Sequence, residues 1–106
     1  MIRGGVVALP TADLERAVRF YVETLGMKLV EHAPDAGWAA LDAGDGFRIG
    51  LDARAKVAAS SAAVGLFSKE PLERALAIFE NRGVAFERRG DRAYFADPDG
   101  NVLYLR

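Results

Sequence analysis

The feature that most constrains this chain is an internal repeat. The segment 14–18 (LERAV) recurs 58 residues later as 72–76 (LERAL), and Asp45-Gly46 recurs 54 residues later as Asp99-Gly100. Repetition at a nearly fixed spacing indicates one structural unit used twice. The secondary structure of the first copy therefore predicts that of the second.

The first copy has the pattern of a strand, a helix and three further strands. Apolar residues recur at helical spacing from Leu14 to Leu25, Thr11 or Asp13 can cap the helix start, and Gly26 suits its end. Short β-branched and apolar runs, separated by turn residues, predict the strands. The predicted bounds are 4–9 for the first strand, 12–25 for the helix, and 27–33, 38–42 and 47–51 for the other strands.

The second copy repeats this order after an Ala- and Ser-rich connector. The predicted bounds are 64–68 for the strand, 70–82 for the helix, and 84–89, 92–96 and 102–105 for the remaining strands. We therefore predict an α+β chain of two βαβββ repeats in a single domain, residues 1–106. The repeats cover 1–52 and 64–106, and the connector covers 53–63. A ferredoxin-like sandwich is the competing fold, but it has only four strands.

Composition narrows the function classes. Cysteine is absent, which excludes disulfides and thiolate chemistry, and the net charge of −1 gives no general attraction to nucleic acid. The sequence shows neither a signal peptide nor an apolar segment long enough to cross a bilayer. The serines lack a nucleophile-elbow motif, so we assign no catalytic residue. We expect a cytoplasmic protein without nucleic-acid or membrane partners.

Both ends of the chain resemble one known family. Residues 7–21 followed by Leu25-Gly26 are similar to the opening strand and helix of the glyoxalase/bleomycin-resistance (vicinal oxygen chelate) superfamily, and residues 94–101 are similar to its closing hairpin. With the matching element order, the resemblance covers nearly the whole chain. It implies two cupped mixed sheets with the helices outside and a cavity inside.

The resemblance also implies where a divalent metal would bind. Many members hold the ion with side chains from four strands, and the corresponding positions here are Val6, Gly50, Val64 and Tyr104. Valine and glycine have no ligand atom, and a single tyrosine is a poor ligand. His32, the only histidine, is expected at an edge rather than at a metal. We therefore predict no metal and no cofactor, and we expect the metal-dependent chemistry of the family to be absent.

Strand alternation predicts which side chains line the cavity. The candidate ligand-binding residues are Trp38, Tyr94 and Tyr104 as flat walls and Arg48 and Arg92 as cations. The other residues predicted to face inward are Val6, Ala8, Ala40, Asp42, Gly50, Asp52, Val64, Leu66, Ala96, Val102 and Arg106. Those predicted to face the helices are Val7, Leu9, Leu41, Ile49, Leu51, Phe67, Phe95, Leu103 and Leu105.

Each candidate also has an alternative interpretation. The aromatic rings could be core or interface packing, and the arginines, including the Arg88-Arg89 hairpin tip, could be solvated. Asp42 and Asp52 could act as a base or pair with Arg48 or Arg92.

The favoured function is a metal-independent small-molecule-binding protein that sequesters an antibiotic or another planar aromatic ligand and forms a homodimer. The alternatives are a metal-free enzyme, and a metal-dependent lyase or dioxygenase of the same superfamily that uses atypical ligands.

Overall fold

The computed structural model describes all residues, 1–106, and they form two compact units, Met1–Ala58 and Ala59–Arg106. Each unit holds a strand, a helix and three more strands in that order. The predicted α+β class with two βαβββ repeats is thereby confirmed. The boundary between the units falls inside the predicted connector, and the single domain over 1–106 stays a prediction.

Unit 1 is a four-stranded mixed sheet with one helix. Its elements are β1 Gly5–Pro10, α1 Leu14–Arg19 with a π-helical continuation over Phe20–Thr24, β2 Lys28–Ala33, β3 Trp38–Asp42 and β4 Phe47–Asp52. The strand order is β1-β4-β3-β2, in which β1 runs parallel to β4 and the other pairs are antiparallel.

The start and burial of α1 follow from its sequence. A carboxylate oxygen of Asp13 accepts a hydrogen bond from the backbone N–H of Arg16 at 3.1 Å, which caps the helix. Gly26 adopts a φ of 75°, a left-handed value that allows the chain to leave the helix. The helix packs on β3 and β4, where Leu41 and Ile49 are fully buried. Burial of each such side chain contributes about 1.5–3 kcal/mol.

Unit 2 repeats the topology with shorter first, second and fourth strands. Its elements are β5 Val64–Leu66, α2 Leu72–Asn81, β6 Glu87–Arg89, β7 Arg92–Ala96 and β8 Val102–Leu105, and the sheet order is β5-β8-β7-β6. Helix α2 packs on β7 through Phe79, whose ring meets that of Phe95 edge-on at 4.9 Å. No helix in the structure is long and apolar enough to span a bilayer.

The turn between β7 and β8 is built around a buried carboxylate. Asp97 is only 5% exposed. One of its oxygens accepts hydrogen bonds from the backbone N–H groups of Asp99 and Asn101, both at 2.9 Å, and the other accepts from the Asn101 side-chain amide at 2.8 Å. Gly100 has a φ of 84°, which a residue with a side chain rarely adopts. Residues 97–101 thus form a tight turn that joins β7 to β8.

The two sheets repeat with a register difference of one residue in their first strands. Ala8 pairs with Gly50 in unit 1, and Gly65 pairs with Tyr104 in unit 2. Gly50 and Tyr104 occupy the same place in their sheets, so the first strands repeat at a spacing of 57 residues while the helices repeat at 58. Between equivalent positions, the chain from β5 to α2 is therefore one residue longer than the chain from β1 to α1.

This extra residue reverses the predicted faces of β5. Val64 and Leu66 pair with Leu103 and Leu105 and lie on their face of the sheet, because partners in a parallel ladder share a face. Leu66, predicted to face the cavity, is 8% exposed on the helix side. Phe67, predicted to face the helices, is 84% exposed. The predicted orientations of Val64, Leu66 and Phe67 are thus wrong.

Candidate functional site

Three of the predicted site residues form a cluster on the face of the unit 2 sheet opposite α2. Tyr94 and Tyr104 are directly paired across β7 and β8, and their ring centroids lie 5.3 Å apart at 46°. The guanidinium carbon of Arg92 lies 4.7 Å from the Tyr104 ring centroid, and its Nη1 donates a hydrogen bond to Tyr94 Oη at 3.3 Å. The cation is therefore held against two electron-rich rings.

A glycine allows the Tyr104 ring to lie flat on the neighbouring strand. A Cβ atom at Gly65 would stand 2.9 Å from Tyr104 Cε1 and closer still to Cζ and Oη. Any side chain at residue 65 would therefore push the ring off the sheet. The same arrangement occurs in unit 1, where a Cβ at Gly50 would lie 2.8 Å from Trp38 Cζ2.

A second arginine stacks on the other tyrosine. The Arg89 guanidinium lies 4.7 Å from the Tyr94 ring centroid. It also donates two hydrogen bonds to the Glu87 carboxylate, from Nε at 3.2 Å and from Nη2 at 3.1 Å. Bidentate pairing of this kind fixes the guanidinium plane. Arg89 and Glu87 were not predicted as site residues.

Hydrogen bonds in this cluster favour the charged forms of its ionisable groups. The bonds from Arg89 lower the pKa of the Glu87 carboxyl, and the same pair raises the pKa of Arg89. The bond to the Tyr94 hydroxyl raises the pKa of Arg92, with smaller electrostatic contributions from Tyr104, Tyr94 and Asp91. Both arginines are therefore fixed cations at any physiological pH.

A cavity of about 540 Å³ opens beside Tyr94 within unit 2. Tyr94 is the only one of the five predicted site residues that lines it. The remaining wall combines small apolar residues with one ion pair: Ser61, Ala62, Ala63, Ala85, Phe86, Glu87, Arg89, Phe95, Ala96 and Val102. The arrangement can hold an apolar or aromatic body with few directional polar contacts.

The short hairpin loop between β6 and β7 could have predicted that Arg89 and Glu87 belong to the site. Strand alternation within β7 alone does not give this cross-strand register. Only residues 90 and 91 separate β6 from β7, and a two-residue hairpin loop fixes the register of the flanking strands. Arg89 then lies opposite Arg92, and Glu87 lies opposite Tyr94. The contribution of residues 61–63 from the predicted connector had no comparable signal.

Unit 1 holds the other two predicted site residues, Trp38 and Arg48. The half-buried Trp38 ring lies over Gly50. Arg48 is exposed and forms an ion pair with Glu31, Nη1 to Oε1, at 3.6 Å. Their part in a ligand site stays a prediction.

The carboxylates predicted to pair with an arginine instead close turns. Asp42 accepts a hydrogen bond from the backbone N–H of Gly44 at 2.7 Å, and Asp52 accepts one from the backbone N–H of Arg54 at 2.9 Å. His32 lies on the helix side of its sheet, with Nε2 at 2.8 Å from Glu15 Oε1.

The side chains at the expected metal positions do not fit a divalent ion. Val6 and Gly50 have no donor atom, and Tyr104 stacks under Arg92, a cation. The register places Ala63 rather than Val64 at the third position, and alanine has no donor either. No group of three or more His, Cys, Asp or Glu residues is arranged to hold a metal ion.

Comparison with known proteins agrees with this architecture. Residues 5–105 match the family model of the Glyoxalase/Bleomycin resistance protein/Dioxygenase superfamily. No curated protein matches the sequence.

Several solved structures share the fold. TnmS3, an antibiotic-binding protein from a Streptomyces species, is 28% identical with a TM-score of 0.82, over 100% of this chain and 95% of that one. A glyoxalase/bleomycin resistance protein, also from Streptomyces, is 28% identical with a TM-score of 0.78, over 98% and 99% of the two chains. A lactoylglutathione lyase from Agrobacterium tumefaciens is 20% identical with a TM-score of 0.74, over 94% and 89%.

Proposed function

The chain belongs to the glyoxalase/bleomycin resistance protein/dioxygenase superfamily, and from that premise we propose that it binds a planar aromatic small molecule without a metal ion. The observation that carries this proposal is the cavity beside Tyr94. Its volume of about 540 Å³ falls within the range of about 300–1,000 Å³ typical of small-molecule sites. Its wall is mainly apolar, and the half-buried Tyr94 ring in that wall provides an aromatic contact.

The donor chemistry supports metal independence. Divalent ions in proteins take histidine, carboxylate or thiolate ligands. The residues at the family's ligand positions supply none of these, and the single histidine is engaged with Glu15 on α1. The metal-dependent lyase or dioxygenase would need a donor set that the site residues do not provide.

The similarity to TnmS3 supports sequestration as the biological role. That protein is described as an antibiotic-binding protein, and it matches this chain over its full length. The lactoylglutathione lyase shares only 20% sequence identity with this chain, so that similarity shows the fold alone. We propose that the bound molecule is held and released unchanged, as expected of a protein that protects its cell from an aromatic antibiotic.

A homodimer in the cytoplasm is the proposed assembly and location. Apolar side chains stand exposed on β1, with Val6 at 50% and Val7 at 37%, and Phe67 in unit 2 is 84% exposed. Surfaces of this kind are often covered by a partner, and a two-fold dimer is the commonest closed assembly. Light scattering at micromolar concentration should give about twice the chain mass of 11.4 kDa, and a monomer mass would contradict the dimer.

Calorimetric titration with 2-naphthamide, a neutral planar probe, tests the proposed binding. We expect saturable binding to chelator-treated protein and retention of binding in Tyr94→Phe. Tyr94→Ala should weaken binding by about tenfold or more, since stacking on an aromatic side chain contributes about 1–3 kcal/mol. Ni²⁺, Zn²⁺, Mn²⁺ and Fe²⁺ should each leave the melting temperature unchanged. A metal-induced rise that chelator reverses would support the metal-dependent alternative instead.

A further inference from the structure

Two arginines on the unit 2 face stand directly opposite each other. Arg89 on β6 is the cross-strand partner of Arg92 on β7. Like charges at directly opposed positions of an antiparallel pair destabilise the sheet unless a counter-charge lies nearby. Glu87 provides the only carboxylate bonded to either guanidinium, and it pairs with Arg89. One positive charge on this face is therefore uncompensated.

Arg92 has no carboxylate partner, whereas the other arginines on and directly after the strands of the unit 2 sheet each have one. Arg88 pairs with Glu73, Arg89 with Glu87, and Arg106 with Asp91 at 3.0 Å. Arg92 has no carboxylate within 4 Å; its contacts are the Tyr94 hydroxyl and the Tyr104 ring. A guanidinium has five N–H donors, and the Tyr94 bond uses one.

We propose that Arg92 is the anion-recognition residue of the unit 2 site, so that the ligand class is a planar aromatic molecule bearing a carboxylate or a comparable acidic group. The aromatic body would lie in the cavity against Tyr94 while the acid takes the free donors of Arg92. This inference rests on the proposed binding function and adds the charge of the ligand to it.

The geometry of the Arg92 guanidinium suits binding of an anion better than exposure to water alone. Stacking on Tyr104 and the hydrogen bond to Tyr94 hold the Arg92 guanidinium in one orientation before a ligand arrives. A pre-ordered cation loses less conformational freedom on binding. Arg89 and Arg92 repel each other, and the single Glu87 carboxylate neutralises only Arg89. A bound carboxylate would therefore also reduce this repulsion.

Two probes with the same ring system but different charge test the assignment. Calorimetry should give a dissociation constant for 2-naphthoate about 10- to 100-fold lower than for neutral 2-naphthamide, in keeping with a charge-assisted hydrogen bond. Arg92→Gln should remove this preference, and Arg92→Lys should retain part of it, because lysine keeps the charge without the planar fork. Arg88→Gln is the matched control and should leave the preference intact. Circular dichroism and melting curves confirm that each variant is folded.

The outcomes separate this inference from the proposed function. Equal affinity for the two probes would overturn the anion preference and leave aromatic binding standing. A preference that survives Arg92→Gln, or one that Arg88→Gln removes equally, would overturn the assignment to Arg92. Absence of binding by both probes would contradict the proposed aromatic binding itself and this inference with it.

Discussion

The two units of this protein have the same topology but different exposed faces. Both sheets pair the first strand parallel to the fourth, and both bury an apolar layer against one helix. On the opposite face, unit 1 carries Trp38 over a glycine and a loose ion pair, Arg48 with Glu31. Unit 2 carries two arginine–tyrosine stacks and a cavity. The helix-side layer maintains the fold, so the opposite face is free to differ in chemistry.

The glycines show how one packing rule serves both faces. Gly50 lies under Trp38 in unit 1, and Gly65 lies under Tyr104 in unit 2. The glycine belongs to β4 in one unit and to the first strand, β5, in the other, so the aromatic ring comes from a different strand in each. The repeat thus preserves a flat aromatic surface without preserving the residues that build it.

The largest expected effect tests whether the two cores are equivalent. Ile49 and Leu103 occupy the same place in their sheets, and both are fully buried. Replacing either by alanine should lower the free energy of unfolding by about 2–5 kcal/mol through the lost burial and the cavity left behind. Urea denaturation measures both. If the losses in unfolding free energy for the two variants differed by more than about 3 kcal/mol, the width of that range, one unit rather than both would determine stability.

The next effect separates the two aromatic faces. An added methyl at Gly50 or Gly65 must displace the ring above it, at a cost of about 1–3 kcal/mol. Gly65→Ala should also weaken binding of 2-naphthamide by about tenfold, because it moves Tyr104, whose ring packs against Tyr94 in the cavity wall. Gly50→Ala should shift the fluorescence of Trp38, the only tryptophan. If Gly50→Ala abolished binding and Gly65→Ala did not, the site would belong to unit 1.

The smallest expected effect concerns the ion pair on β6. Hydrogen bonds from Arg89 hold the pKa of the Glu87 carboxyl below its ordinary value of 4.5. Because the folded pKa is the lower one, the pair contributes stability above the unfolded value, and this contribution is lost as the pH falls through the folded value. Arg89→Gln should return the pKa towards 4.5 in a carboxyl-carbon NMR titration, and Arg88→Gln should not. An unchanged Glu87 titration in Arg89→Gln would contradict the pairing.

Hydrophobic periodicity and turn residues were sufficient to predict the fold. The stripe from Leu14, the cap at Asp13 and the turn at Asp97 each depend on residues close in sequence, so the elements they define appear as predicted. The faces of β5 were predicted wrongly because the loop before α2 contains one extra residue. A repeat spacing taken from the helices cannot detect a change of one residue in a neighbouring loop.

The candidate site was predicted only in part for a related reason. Tyr94, Tyr104 and Arg92 share a face because strand alternation is local, and the structure brings them together. Arg89 required the cross-strand register of the hairpin, and the connector residues at the cavity required three-dimensional packing. Local patterns determine which way a side chain points, whereas neighbours from distant segments depend on the whole unit.

The central claim is that the unit 2 face binds a planar aromatic molecule without a metal ion. Nitrogen–proton correlation NMR of chelator-treated protein, titrated with 2-naphthoate, tests it most directly. We expect saturable shifts concentrated at residues 61–63, 85–96 and 102–105, unchanged when Zn²⁺ or Ni²⁺ is added. Shifts confined to residues 1–58, or shifts that appear only after metal is added, would contradict it.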